Sequence, residues 1–541
     1  MAERRAGDRF AIPGDTTHPA ARPARTTGRL RGRATGAGAA AAAALLLASC
    51  STPGSGSSSE TSPNTLVVST PTEPDSLDPT LANTFAARLV FTSFCEKLYD
   101  VDAKLRVVPQ LAAALPKVSK DGRTMDIAVR KGVRFNDGTP LNAAAVKTTL
   151  DRDLTMKASA RAGELEAVSK VEVLDPYTVR LKLKHPSAPL VAQLADRSGL
   201  VMSPAALKKL GDDFGTAPVC VGPFKYQDRV SGNEMDFVKS PVYYDADKVR
   251  LDGIRYKFIT NSSVATANLE SGDVDAAEHI DANDAITLKG ESGTRVLHSD
   301  TIAYQSLSIN VRKNAGTALS RSSDLRKAFE MSIDRDALNT AVWKGQNLTD
   351  CGPLPAQSPL RIKPHCTPFD PDAARALVKK SGIPHPSIEL MVPTGAATQR
   401  EAQVVQSMAQ DVGFKVSVRP IDLVSGLDLA RTGKYDAFLE GWSGRVDPDG
   451  DTNDIVTTGG SNNFSGYSDK KVDALIKQAA STNDTRLRSK YYAQAVERVG
   501  EARPLLYLYH NRWFLGTSTK VHGIVYQSDS LPRFKTAYLS R

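Results

Sequence analysis

Ile388-Glu389-Leu390-Met391-Val392, then Gln399 to Val412, then Phe414-Lys415-Val416-Ser417-Val418 is the stretch that decides the fold. The first piece is a short apolar run that reads as a strand. The second sets Ala402, Val405, Met408 and Val412 at helical spacing and is closed by Gly413. The third resumes a strand. Strand, helix and strand joined by short connections make a βαβ crossover, which implies a parallel sheet with helices on its faces.

Outward from that unit, strands and helices alternate through most of the chain. Met125 to Val129 alternates apolar and polar, as a half-buried strand does. Val171-Glu172-Val173 and Tyr177 to Leu183 flank Asp175-Pro176 and read as a hairpin. Tyr256 to Ile259 and Leu307 to Val311 are further strands. Asp370-Pro371 starts a helix with proline in its first turn, and Gly382 follows its end. Thr139-Pro140 precedes a helix through Ala143–Leu150. The 541 residues predict two to four structural units at roughly 100–200 residues each.

The net charge of +9 invites a nucleic-acid reading, so its location matters. Residues 1–49 hold eight arginines, no lysine and three acids, a net of +5, which leaves only +4 for the remaining 492 residues. Nucleic acid is therefore not an expected partner. Arg22, Arg25, Arg29, Arg31 and Arg33 precede an uncharged, alanine-rich run ending in Leu45-Leu46-Leu47. That run is too short to span a membrane, and with its basic flank it reads as a secretory signal. Arg4-Arg5 lies too far from it to read as a twin-arginine signal. Leu47-Ala48-Ser49-Cys50 resembles the lipobox of bacterial lipoproteins, which implies lipidation at Cys50 after cleavage. Residues 50–64 then form a Ser/Gly/Pro/Thr-rich tether. The expected location is the outer face of the cytoplasmic membrane, held by the lipid anchor.

Besides Cys50 there are Cys95, Cys220, Cys351 and Cys366, an even number for an oxidising compartment. Four cysteines allow three connectivities. Cys351 and Cys366 bracket four prolines, which suits a local loop closed by a disulfide and leaves Cys95–Cys220 as the second pair. No CxxC spacing supports a metal site, and the eight histidines are scattered. The chain carries no P-loop, GxSxG elbow or HExxH pair. Asp447-Pro448-Asp449-Gly450-Asp451 is rich in carboxylates but lacks the distal glutamate of a calcium loop. An exported chain without a catalytic constellation points to binding rather than turnover.

Seven segments, in order, carry a family likeness. They are Thr72 to Pro79 (TEPDSLDP), Val108 to Ala112 (VPQLA), Arg130 to Leu141 (RKGVRFNDGTPL), Val221 to Phe224, Leu269 to Asp275, Leu325 to Arg335, and Tyr435-Asp436 through Gly441-Trp442. Together they resemble the family 5 solute-binding proteins of ABC importers, the dipeptide, oligopeptide and nickel group. Asp137-Gly138-Thr139-Pro140 within them reads as a structural turn.

The resemblance implies an α/β, two-lobed periplasmic-binding-protein (Venus-flytrap) fold with mixed sheets and an extra subdomain in lobe I. By that plan lobe I takes residues 65–311 and 511–541, with the subdomain at about 105–215. Lobe II takes 312–510, and crossing strands lie near Ile309-Asn310 and Tyr507-Leu508-Tyr509. No cofactor is implied. The expected partners are the permease's transmembrane subunits, through them its ATPase subunits, and a small peptide-like ligand.

In peptide-binding relatives an acid three residues after the matched tryptophan pairs with the ligand's ammonium. Here that position is Arg445, a cation suited to grip a carboxylate, as in the glutathione-binding branch. Trp442 is the expected aromatic wall, Asp447 and Asp449 the candidates for amine recognition, and Glu73, Tyr304 and Asn310 further candidate contacts. Haem as a transported ligand is an alternative, although no axial ligand identifies itself; nickel is less favoured, with no clustered histidine or cysteine. A hydrolase of exported peptides or cell-wall fragments is the competing class, and a sensory receptor of the same fold a third reading.

Overall fold

Thr65–Thr70 opens the described chain as a strand, and its two neighbours are both parallel to it, Gly253–Phe258 on one side and Ala276–Ile280 on the other. The computed structural model describes residues 62–358, 360, 364 and 366–540. The signal segment, Cys50 and residues up to 61 lie outside them.

Among the described residues, eleven strands form one mixed sheet. Its spine is a pair of long antiparallel strands, Thr294–Ile309 and Leu505–Ser518. At one end of this ribbon the N-terminal strands add on through Ala276–Ile280. At the other, Ala437–Trp442, Ser387–Pro393 and Lys415–Ile421 add on beside Thr294–Ile309. The expected βαβ unit is present: Ser387–Pro393 and Lys415–Ile421 pair in parallel, and the helix Ala396–Asp411 connects them. Gly413 carries the chain out of the helix at φ +104, where a Cβ would be strained.

The ribbon serves more than one core. Its outer half, with Leu515, packs beside the first strand and the helix Phe85–Phe94, in a core that includes Leu66, Phe94, Phe237 and Tyr256. Its inner half, Leu307, Ile309, Leu506, Leu508 and Tyr509, packs on the βαβ unit and the helix Ser323–Met331. Between the two, the ladder shifts register from Asp300–Arg512 to Tyr304–His510. The skipped backbone is not left unpaired: Ile302 N–H donates to the Ser528 carbonyl, and the Thr301 hydroxyl donates to that of Asn511. Ile309 and Tyr507–Tyr509, where the crossing was expected, lie on the inner side of this break.

A four-stranded antiparallel sheet, in the order Lys117–Val118, Thr124–Ala128, Thr178–Leu183 and Val168–Asp175, contains the hairpin read from the sequence. Its buried face, including Met125, Ile127, Val179 and Leu181, merges with the first core rather than forming its own.

Two helix starts show how local chemistry sets the elements. Asp370 caps Pro371–Lys380 by accepting from Ala373 N–H, with the proline in the first turn as expected. The helix after Thr139-Pro140 spans Ala143–Thr155, and its cap is Asn142, whose side chain accepts from Ala145 N–H. The family segments upstream are mainly braces. Asp78 takes both guanidinium arms of Arg152, and Asp137 accepts from Thr139 and Ser203.

Both disulfides join the cysteines paired in the sequence reading, with Cα–Cα distances of 4.8 Å for Cys95–Cys220 and 5.5 Å for Cys351–Cys366. Asp350 sits beside the second, but both sulfurs are committed to each other and offer a metal no thiolate. The separations of 125 and 15 residues predict unequal contributions, because closing a longer loop removes more entropy from the unfolded chain. Replacing Cys95 and Cys220 by alanine is expected to cost about 4–5 kcal/mol, and replacing Cys351 and Cys366 about 3 kcal/mol. Urea unfolding of the two double variants gives the ranking directly.

Candidate functional site

Trp442 ends the strand Ala437–Trp442, directly opposite Tyr304 in the antiparallel ladder. The chain then turns sharply at Gly444, φ +73, where a Cβ would stand 2.3 Å from the Ile302 carbonyl oxygen. Only glycine fits there. The turn throws Arg445 back over Trp442, its guanidinium 4.7 Å from the ring centroid.

Asp451 fixes this arrangement. It lies in the helix Asp449–Val456 and is fully buried. One carboxyl oxygen accepts from the Trp442 indole N–H at 2.9 Å and from the Arg445 backbone N–H at 2.8 Å. The other oxygen has no hydrogen-bond partner among the described residues. Burial pushes the Asp451 carboxyl well above its ordinary range.

Trp442 and Arg445 line a cavity of about 560 Å³, within the range of ligand pockets. The N-terminal half of the chain contributes Arg88, Arg161, Glu164, Asp196 and Arg197; the C-terminal half contributes Asp447, Asp449 and Asp454 as well as the Trp442 turn. The guanidinium groups on this lining are neutralised unequally. Among the described residues the Arg197 side chain donates to the carbonyls of Ala82 and Thr84. Burial first, and Arg161 next, lower its pKa to about 9. Arg161 pairs with Glu164 at 2.7 Å, and Arg88 with Asp196 at 3.1 Å. Arg445 reaches across to Asp196 at 3.7 Å.

The acids behave differently from one another. Asp447 spends its charge on Arg488 at 2.7 Å. Asp449 is buried, and among the described residues Asn453 and Tyr492 are its distant side-chain hydrogen-bond partners, at 3.5 Å each. Burial, with Asp447 adding to it, raises its carboxyl to about 7.

Of the residues named from the sequence, Trp442, Arg445, Asp447 and Asp449 come together around this cavity. Tyr304 sits behind Trp442, buried edge-to-face against Tyr507. Glu73 is elsewhere, gripped by Arg229 at 2.5 Å and by Gly232 N–H. Asn310 is buried and donates to the carbonyls of Gly433 and Tyr435. Neither is among the residues lining this cavity. Sequence reading missed Arg88, Arg161, Asp196 and Arg197, which no local motif marks. It quoted Asp451 within the acidic run without giving it a role; the spacing from Trp442 was the available signal.

Comparison with known proteins agrees with the fold. The model for bacterial extracellular solute-binding proteins, family 5 (middle region), matches residues 106–464. A glutathione-binding protein GsiB from Pectobacterium atrosepticum is 29% identical over 485 residues, covering 86% of this chain and 92% of that protein. Among solved structures, the dipeptide-binding protein of Pseudoalteromonas sp. SM9913 in complex with Met-Leu superposes with a TM-score of 0.79 at 21% identity, covering 88% of this chain and all of that one. The binding protein AgaA from A. tumefaciens R10, in complex with agropinic acid, gives 0.76 at 25% identity, over 88% and 99% of the two chains. The two-lobed periplasmic-binding-protein fold follows.

One Asp451 oxygen accepts from both N–H groups, and an amide keeps that acceptor. Asp451→Asn is expected to stay within about 1 kcal/mol of wild type, whereas Asp451→Ala leaves the indole and amide N–H groups without their acceptor and costs about 2–4 kcal/mol. Urea unfolding measures both, and Trp442 fluorescence should change in the alanine variant alone.

Proposed function

The chain belongs to the bacterial extracellular solute-binding proteins, family 5, and from that premise we propose that it is the receptor subunit of an ABC importer taking up a small peptide-like solute with free carboxylate and ammonium groups. The family binds and releases its solute without turning it over, so the exported-hydrolase alternative falls. The observation that carries the ligand class is the division of the cavity's lining between guanidinium and carboxyl groups. Arg197 donates its side chain to backbone carbonyls and Arg445 stands beyond hydrogen-bond length from Asp196, while Asp449 contributes a buried carboxyl whose pKa burial raises to about 7. Guanidinium forks match carboxylates bidentately, and exclusion of water strengthens each pair. The positive charge of an ammonium near Asp449 would lower its carboxyl pKa, so that the proton is lost to water and the carboxylate pairs with the ammonium.

Glutathione, with two carboxylates and one ammonium, satisfies this division and is the ligand named for the relative reported above. Haem is set aside: the relatives described above are named for other ligands, and the cavity is charged rather than apolar. Differential affinity for the closed arrangement would drive the lobes together, with the break at residues 301–303 of the ribbon as the hinge. The division into lobe I (65–311 and 511–541, with the subdomain at about 105–215) and lobe II (312–510) is retained as part of this reading. So is the tether. Among the described residues no helix is long and apolar enough to cross a membrane, and lipidation at Cys50 would hold the receptor beside its permease.

Thermal unfolding of the refolded soluble domain against dipeptides, tripeptides, glutathione and haemin tests the ligand class. At 100 times its Kd a ligand adds about 2.7 kcal/mol, a shift of a few degrees. A response to haemin alone overturns the reading. Arg445→Ala is expected to weaken the responding carboxylate ligand by about 2–4 kcal/mol, measured by calorimetry.

Cys50→Ala in the full chain should move the protein from the membrane to the soluble fraction without changing ligand affinity. A variant that still sediments with membranes defeats the anchor.

A further inference from the structure

Asp196 occupies a position that the binding function alone does not require. Its Oδ1 is fixed from the N-terminal half of the chain, accepting from Arg197 N–H at 2.9 Å and Arg88 Nε at 3.1 Å. Its Oδ2 faces the other way and lies 3.7 Å from Arg445 Nε, on the turn after Trp442. That separation is an ion pair beyond hydrogen-bond length. The other arm of Arg445 is committed to its own turn, donating from Nη1 to the Ser443 hydroxyl and the Gly444 carbonyl. The guanidinium is therefore held in place over Trp442 with one N–H edge turned to a carboxylate that approaches without closing on it. Asp196 also sits on the wall shared by two cavities of about 560 Å³ each, so solute entering the site meets it. Against the opposing push of burial, Arg88, Arg445 and Arg197 hold its carboxyl well below the usual range, and it is charged at neutral pH.

We propose that Asp196 is a built-in stand-in for the ligand's carboxylate: it spans the cleft to Arg445 before solute arrives, yields Arg445 to the solute's carboxylate, and thereby sets the charge specificity and the affinity of the site. This deepens, and rests on, the reading of the cavity as a site for a carboxylate-bearing solute. The chemistry follows from the distances. A mobile carboxylate can approach Arg445 Nε to ordinary hydrogen-bond length, which the anchored Asp196 does not, so exchange favours an anionic solute. A solute ending in an amide offers no charge to replace that of Asp196 and is rejected. The cost of displacing an internal anion keeps affinity moderate, as release to a permease needs.

Removing the charge of Asp196 leaves Arg88 and Arg445 facing each other without their common anion. Asp196→Asn should therefore lower the unfolding temperature of the ligand-free protein yet bind glutathione about tenfold tighter than wild type by calorimetry, with the C-terminal amides of glutathione gaining nothing. Acetate, a bare carboxylate, should raise the unfolding temperature of Asp196→Asn more than that of wild type. Arg445→Ala should abolish both gains when added to Asp196→Asn.

Unchanged or weaker glutathione binding by Asp196→Asn, with no added response to acetate, overturns the proposal and makes Asp196 a brace for the arginines. Silence of both proteins toward glutathione, with the acetate response present and dependent on Arg445, overturns the peptide-like ligand and leaves the stand-in intact. Should Asp196→Asn fail to fold, Asp196→Glu is the second variant. Its longer arm closes the gap to Arg445, and weaker glutathione binding is expected; tighter binding counts against the proposal.

Discussion

The two long strands Thr294–Ile309 and Leu505–Ser518 are hydrogen-bonded to each other almost throughout, and every other part of the main sheet attaches to one of them. A backbone ladder of this length cannot slip without moving every side chain to the opposite face, so the two cores it serves are locked in register by one ribbon. The larger of its two register shifts, between Asp300 and Tyr304, lies where the side chains change from one core to the other. Carbonyls of Ser528 and Asn511 satisfy the interrupted backbone and side chain there. The break thus leaves these polar groups partnered.

The ribbon also decides what faces the cleft. Tyr304 stands directly opposite Trp442, and Ile302 crowds the turn that aims Arg445. A side chain on the C-terminal half of the chain is thereby delivered to Asp196 and Arg88 on the N-terminal half. The resulting cluster is not built for stability. Guanidinium groups held near one another out of water gain little net free energy from partial pairing, and the depressed pKa of Arg197 records that cost. Such an arrangement is useful where an anion arrives to complete it, which is the property of a receptor rather than of a scaffold.

The sequence was legible wherever a local rule controls the backbone. The βαβ crossover followed from apolar spacing and Gly413, the hairpin from Asp175-Pro176, and the helix at Pro371 from its cap. The helix from Ala143 was legible without its cap: Asn142 takes that role, and Thr139 is bound into the preceding turn by Asp137. The family segments were legible as a resemblance but not as roles. Glu73 and Asn310 looked equally able to touch ligand or hold the fold, and their partners within it, Arg229 and two backbone carbonyls, have no mark in the local sequence.

By itself the sequence determined the class of fold, the family, the pairing of four cysteines and the replacement of an acid by Arg445, because each depends on residue type at short or fixed spacing. The tertiary structure alone decided that Arg88, Arg161, Asp196 and Arg197 line the same cavity as Trp442, that Asp447 is spent on Arg488, and that Asp451 pins Trp442 and Arg445. The reason is physical. Charge interactions act through space and depend on burial, and residues about 250 positions apart in the chain acquire a common environment only when the ribbon brings the two halves together.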